Sequence, residues 1–257
     1  TWFSVGARRR PQGIYDWMFT PFAVAVGIWV IMAATLIIIS PWTLSVIFFS
    51  GIIALAFLTT GPFQDSDVSK PSIFDICFAI TSILVGVYFA IQAPIIINRI
   101  VLLDELTSLD ILFGTLVFVL TLEITRRTTG LGLTFIVIFF VLYNLFGHHL
   151  SGVLQHGKID YIHFLEITVF TTDGIFGLPI RVAATYAFMF VMFGTVLHAC
   201  GGGDFFFKFA AAISGRSPGG PAKVAVISSG MYGMLSGSPT SDVVTTGSIT
   251  IPIMKRL

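Results

Sequence analysis

The chain has 257 residues, of which 55% are hydrophobic and 11% charged, with a net charge of +1. A soluble domain is about 45–50% apolar and about 25% charged, so one water-soluble core is excluded and a lipid bilayer is the natural place to bury this surface. The near-neutral balance also excludes a global field for nucleic acid, and two distant cysteines, Cys77 and Cys200, offer neither a disulfide framework nor paired metal spacing.

A helix needs about 20 apolar residues to cross the hydrocarbon layer. Arg8, Arg9 and Arg10 precede the first such stretch, roughly 17–40. It reads as a retained span rather than a cleaved leader. Pro41 marks a turn into the second, roughly 42–60, and the third covers roughly 73–97. The fourth, roughly 109–125, is stopped by Arg126 and Arg127. The fifth and sixth follow at roughly 131–150 and 180–200. Lys and Arg concentrate on the cytoplasmic side of membrane proteins. An inner N-terminus leaves only Arg99, Lys158 and Arg181 outside and puts every other basic residue inside. That fixes the expected topology. Trp17 and Trp42 fit interfacial belts. Asp75, Asp104, Glu105, Asp110, Glu123 and Glu166 lie near span ends and read as solvated or snorkelling charges. Cys77 and Cys200 read as small buried hydrophobes.

The last stretch breaks the pattern. After Gly201-Gly202-Gly203-Asp204, the run FFFKFAAAISGR reads as a short amphipathic helix at the inner interface. SPGG makes a turn, and Pro221 suits the first turn of a helix. Residues 221–254 are apolar, with Lys223 and Asp242 as their only charges, and SGSPTSD divides them. Each half is about 20 Å long as a helix, too short to cross. Two such halves read as a re-entrant hairpin, which is tolerated where it lines a cavity and is a pointer to a transport site.

The tip comprises Ser236, Gly237, Ser238, Pro239, Thr240, Ser241 and Asp242. The helix ending there presents unpaired carbonyls with partial negative charge. Together with nearby hydroxyls these suit a sodium ion, expected at Ser236, Gly237, Ser238 and Asp242. The helix starting there presents N–H groups suited to a carboxylate. Thr240, Ser241, Thr245 and Thr246 extend the candidate ion and substrate set. Plain capping and hydroxyls bonded back to the backbone are the structural alternatives. Asp242 is an ionisable group in an apolar stretch, which is a functional signal by default.

Other motifs fail on context. Gly201-Gly202-Gly203 follows a span rather than a strand, so it is no dinucleotide loop, and Pro221 stands where a phosphate loop needs Lys. His148 and His149 diverge by about 100° on a helix. Ser236 beside Gly237 raises an intramembrane serine hydrolase as an alternative, but its only candidate base, His198, lies near the inner end of span six. A non-transporting structural subunit is the other alternative.

The words GGGDFF, GGPAKVAV, SGS, VVTTGS and IPIMKR, with DGIFGLP upstream, resemble the fused permeases of TRAP transporters, in particular the TAXI branch, most strongly over residues 172–257. Family tips often read SGSA, and Pro239-Thr240-Ser241 departs from that. The resemblance implies an all-α integral membrane protein with about six transmembrane helices and a re-entrant helical hairpin. Residues 1–128 would form a four-helix small unit, 129–160 a connector and outer loop, and 161–257 the start of a large unit that continues further. It also implies sodium-coupled import of a small organic anion delivered by a periplasmic TAXI-type binding protein. The setting would be the cytoplasmic membrane of a bacterium or archaeon, with no cofactor beyond the coupling ion and no enzymatic activity.

Overall fold

The computed structural model describes residues 5–9, 14–36, 39–236, 243, 246–247, 250–252 and 254–255. Among these the chain is helical, and the only extended pairing is an isolated antiparallel bridge between Arg8 and Thr60. The helices are α1 (Ile14–Thr35), α2 (Pro41–Thr59), α3 (Ile73–Asn98), α4 (Ser108–Thr129), α5 (Leu131–Phe146), α6 (Tyr161–Val169), α7 (Leu178–Val182), α8 (Phe188–Ala199), α9 (Gly202–Ser214) and α10 (Gly220–Ser236). Among the described residues, six helical stretches are long and apolar enough to cross a membrane: Tyr15–Thr35, Pro41–Thr59, Ile73–Asn98, Ser108–Thr129, Leu131–His149 and Leu178–Leu197. They coincide with the six expected spans, so the chain is an all-α membrane protein. The sixth runs through α7, a π-helical segment Ala183–Ala187 and α8. Contacts divide the chain into two compact units, Thr1–Ala184 and Thr185–Leu257.

Local chemistry sets the ends of the helices in the first unit. Ser40 caps α2 by accepting from the Thr43 N–H at 3.1 Å, with Pro41 in the first turn. The Asp75 carboxylate reaches back to the Ser72 N–H at 3.0 Å at the start of α3. Thr107 and Asp110 form the reciprocal pair at the start of α4, which satisfies helix N–H groups that would otherwise be orphaned. Gly130, at φ +86°, alone separates α4 from α5. Only glycine adopts that backbone without strain.

Between α2 and α3 the contact is made by small residues. The Ser82 hydroxyl donates to the Ser50 carbonyl at 3.0 Å. A Cβ on Gly86 would stand 2.1 Å from Ser50 Oγ. Lipid supplies no hydrophobic drive to bring helices together, so close backbone approach is the main source of attraction here. Gly86→Val is expected to overpack this contact and cost about 1–3 kcal/mol. Thermal unfolding of the purified protein measures it, and an unchanged midpoint would show that α2 and α3 do not depend on this approach.

The core of the first unit is aromatic. Phe176 is 1% exposed and meets Trp42, Phe49 and Phe89 edge-on, with ring centroids 5.7, 5.3 and 6.0 Å away. Trp42 is therefore a core residue, not an interfacial anchor: it is only 4% exposed, whereas Trp17 is 78% exposed. Leu165 and Val169 of α6 are fully buried in the same core. This short helix lies between the fifth and sixth expected spans. Cys77 and Cys200 are exposed rather than buried. In a chain surrounded by hydrocarbon, a small apolar group gains nothing by turning inward.

In the second unit α9 and α10 lie antiparallel. Phe206, Ala210 and Ser214 recur every four residues on the buried face of α9, and Val224, Ser228 and Tyr232 do the same on α10. Phe206 meets Tyr232 edge-on at 6.3 Å. The turn between them uses Gly219 at φ +71°, whose carbonyl accepts from the Lys223 N–H at 3.2 Å. The other apolar edge of α9, formed by Phe205, Phe209 and Ile213, is exposed, as expected of a helix with apolar surface to bury outside its own unit.

Candidate functional site

The first half of the expected hairpin is α10, which ends at Ser236. Gly237, Ser238, Thr240, Ser241, Asp242 and Thr245 lie outside the described residues. Thr246 is helical and half-buried, and its carbonyl accepts from the Thr250 hydroxyl at 2.8 Å. Thr250 is buried and lines one cavity with Phe207 and Ala211 of α9, Gly215, and Pro221 and Val224 at the start of α10. A chain that climbs α10 from Pro221 to Ser236 has thus come back to Pro221 by Thr250. The 17 residues of α10 are about 26 Å long at 1.5 Å per residue, so Thr250 lies by the end of that helix opposite to Ser236. The interruption read from SGSPTSD lies, beyond Ser236, outside the described residues.

A second constellation occupies one end of the first unit. Asp75 is completely buried, with one carboxylate oxygen 2.5 Å from Arg9 Nη1 and the other 2.5 Å from Arg127 Nη1. Glu123 holds Arg127 and Arg126 at 2.7 Å each. The Arg127 guanidinium also lies over the Phe57 ring at 4.9 Å and donates to the Thr60 carbonyl at 3.2 Å. The N-terminal strap is bound into this network through its backbone. The Gly6 N–H donates to the Arg127 carbonyl at 2.8 Å, and the Arg9 N–H to the Thr59 carbonyl at 2.7 Å. Arg9 Nε donates to the Asp67 carbonyl at 2.9 Å. The Asp67 side chain, on the exposed loop, is held below the usual carboxylate range by the Ser69 N–H and hydroxyl. Every cation in the network is arginine, which does not give up its proton in proteins. The network is a structural clamp that ties the N-terminal strap, α3 and α4 together.

The far end of α3 carries a smaller version. Glu166 of α6 is 3.1 Å from Arg99 and accepts from the Leu102 N–H at 3.0 Å. Leu102 has φ +66°, the left-handed region, and Glu166 and Asp104 hold the turn in that shape. Asp75 and Glu166 are thus buried and paired, contrary to their reading as solvated span-end charges. The signal was present in part, since Ser72 and Asp75 have capping-box spacing, but their arginine partners are far away in sequence.

No group of three or more His, Cys, Asp or Glu side chains could hold a metal among the described residues. The His148 and His149 rings lie 3.9 Å apart, tilted by 41°, without a third ligand among the described residues. No curated protein and no solved structure matches the chain. The family model described as "Tripartite ATP-independent periplasmic transporter, DctM component" matches residues 116–257. That stretch runs from within α4 to the last residue and takes in more than half of the chain, including α10 and Thr250. Transporters of this kind work with a periplasmic substrate-binding protein. The chain therefore belongs to the DctM family and is a membrane component of a tripartite ATP-independent periplasmic (TRAP) transporter, not an enzyme.

Proposed function

We propose that this chain is part of a sodium-coupled permease of the TAXI branch that imports a small organic anion delivered by a periplasmic TAXI-type binding protein. The observation that carries this reading is the return of Thr250 to a cavity it shares with Pro221 and Val224 at the start of α10. A reversal inside an apolar stretch leaves helix ends at its tip, and helix ends attract ions of both signs. In this reading Ser236, Gly237, Ser238 and Asp242 bind sodium, and Thr240, Ser241, Thr245 and Thr246 complete the ion and substrate site. Residues 1–128 act as the small unit, 129–160 as the connector, and 161–257 as the start of the large unit. The excess of Lys and Arg favours a cytoplasmic N-terminus in the inner membrane of a bacterium or archaeon.

Sodium-driven uptake by the intact transporter, reconstituted with its binding protein, tests the tip. Ser238→Ala and Asp242→Ala are each expected to raise the sodium concentration for half-maximal uptake at least about tenfold, the effect of losing roughly 1.4 kcal/mol. Membrane insertion should be unaffected. Unchanged sodium dependence in both variants would remove the tip from the mechanism.

A further inference from the structure

The linker between α5 and α6 holds a histidine whose two ring nitrogens both face carbonyl oxygens. His156 Nε2 is 2.9 Å from the Tyr143 carbonyl oxygen, and Nδ1 is 2.7 Å from that of Gly157. A carbonyl only accepts, so each nitrogen must donate to bond. Neutral imidazole has one N–H and imidazolium has two. Only the cation makes both bonds; the neutral ring leaves one nitrogen lone pair against an oxygen lone pair.

The seat is shaped for this ring. The Tyr143 carbonyl lies in the last turn of α5, where the helix dipole favours a cation. The Tyr143 ring stands edge-on to the imidazole at 5.2 Å, and its hydroxyl donates to the Leu154 carbonyl at 2.8 Å, which holds the linker at a second point. Gly147 passes under the ring so closely that a Cβ there would lie 2.3 Å from Nε2. The titratable groups on the elements around the ring are Tyr143 of α5, His148 and His149 of the following turn, and Lys158 and Asp160 of the linker. The last two pair with each other at 3.2 Å.

We propose that His156 is a proton-operated clasp: as imidazolium it ties the linker to the end of α5, and on losing a proton it releases one of its two anchors and loosens the chain that leads into α6. The two carbonyl contacts, Tyr143 first, push the imidazole pKa up against a smaller opposing effect of desolvation. The folded pKa lies above the unfolded one. The stabilisation is therefore complete below about 6.5 and disappears as pH rises through the folded value. Each pH unit of elevation corresponds to a tenfold preference of the proton for the clasped linker. None of this depends on the transport reading, because the proton is bound whether or not solute moves.

The test is histidine-selective carbon-13 NMR of the whole chain in lipid nanodiscs across a pH series, with His156→Gln assigning the resonance. His156 is expected to titrate above about 6.5, and Gly147→Ala, which fills the seat, to bring it back to that value. Hydrogen exchange of the linker amides, corrected for the intrinsic rate, should be slower below the titration than above it, and His156→Gln should abolish the difference. Titration at or below about 6.5 in the unmutated chain overturns the proposal. So does a pH-dependent protection that persists in His156→Gln.

Discussion

Asp75→Ala is expected to destabilise the protein by about 3–5 kcal/mol, the cost of leaving a buried charge without its partner. The carboxylate is completely buried between Arg9 and Arg127, and it also caps α3 through the Ser72 N–H. Among the described residues, removing it leaves Arg9 without an ion pair, while Arg127 keeps Glu123. The cost is therefore concentrated on Arg9. Adding Arg9→Met to Asp75→Ala should recover part of the loss, because the stranded cation goes with it. Thermal unfolding in detergent, read on the single and double variants, decides this. A double variant less stable than Asp75→Ala alone would show that the Arg9 stem and strap contribute more than the charge.

Phe176→Ala should have a comparable effect, about 3–5 kcal/mol, for a different reason. Its ring fills a space bounded by Trp42, Phe49 and Phe89, three side chains from two separate helices. Truncation leaves a cavity that rigid aromatic neighbours fill poorly. Phe139→Ala is the control, because that side chain is 65% exposed and its loss creates no internal void. Equal shifts for the two phenylalanines would contradict the assignment of Phe176 to the core.

The spans were legible because bilayer thickness imposes a length that few other constraints imitate. Pro41 marked one end correctly, whereas Asp110, read as a span-end charge, pairs with Thr107 as the cap of α4. α6 was not legible, because YIHFLEITV is too short to cross and its helical form depends on docking Leu165 and Val169 into a core built by other segments. The charge clamp was hidden for a related reason. Asp75 stands 66 residues from Arg9 and 52 from Arg127, and no local periodicity reports such a meeting. Sequence reasoning gave these acids the default reading for span-end charges. The hairpin was read from an interruption in an apolar run; Thr250 returns to Pro221, and the turn itself lies outside the described residues. The residues at its tip rest on chemistry alone.

The ion pairs also act as a parity rule for threading. Arg9, Asp75 and Arg127 share one network, so the polypeptide crosses an even number of times between each pair: α1 and α2 first, then α3 and α4. Arg99 and Glu166 pair at the other end of α3, with α4 and α5 between them. An insertion error that skips one of these helices strands a charge at the wrong surface, so a mis-threaded chain cannot close both contacts. The first unit thus has a single binary choice left, which surface faces out. Labelling the exposed Lys158 with a membrane-impermeant reagent from one side places Arg99 and Glu166 on that side and the Asp75 clamp on the opposite one.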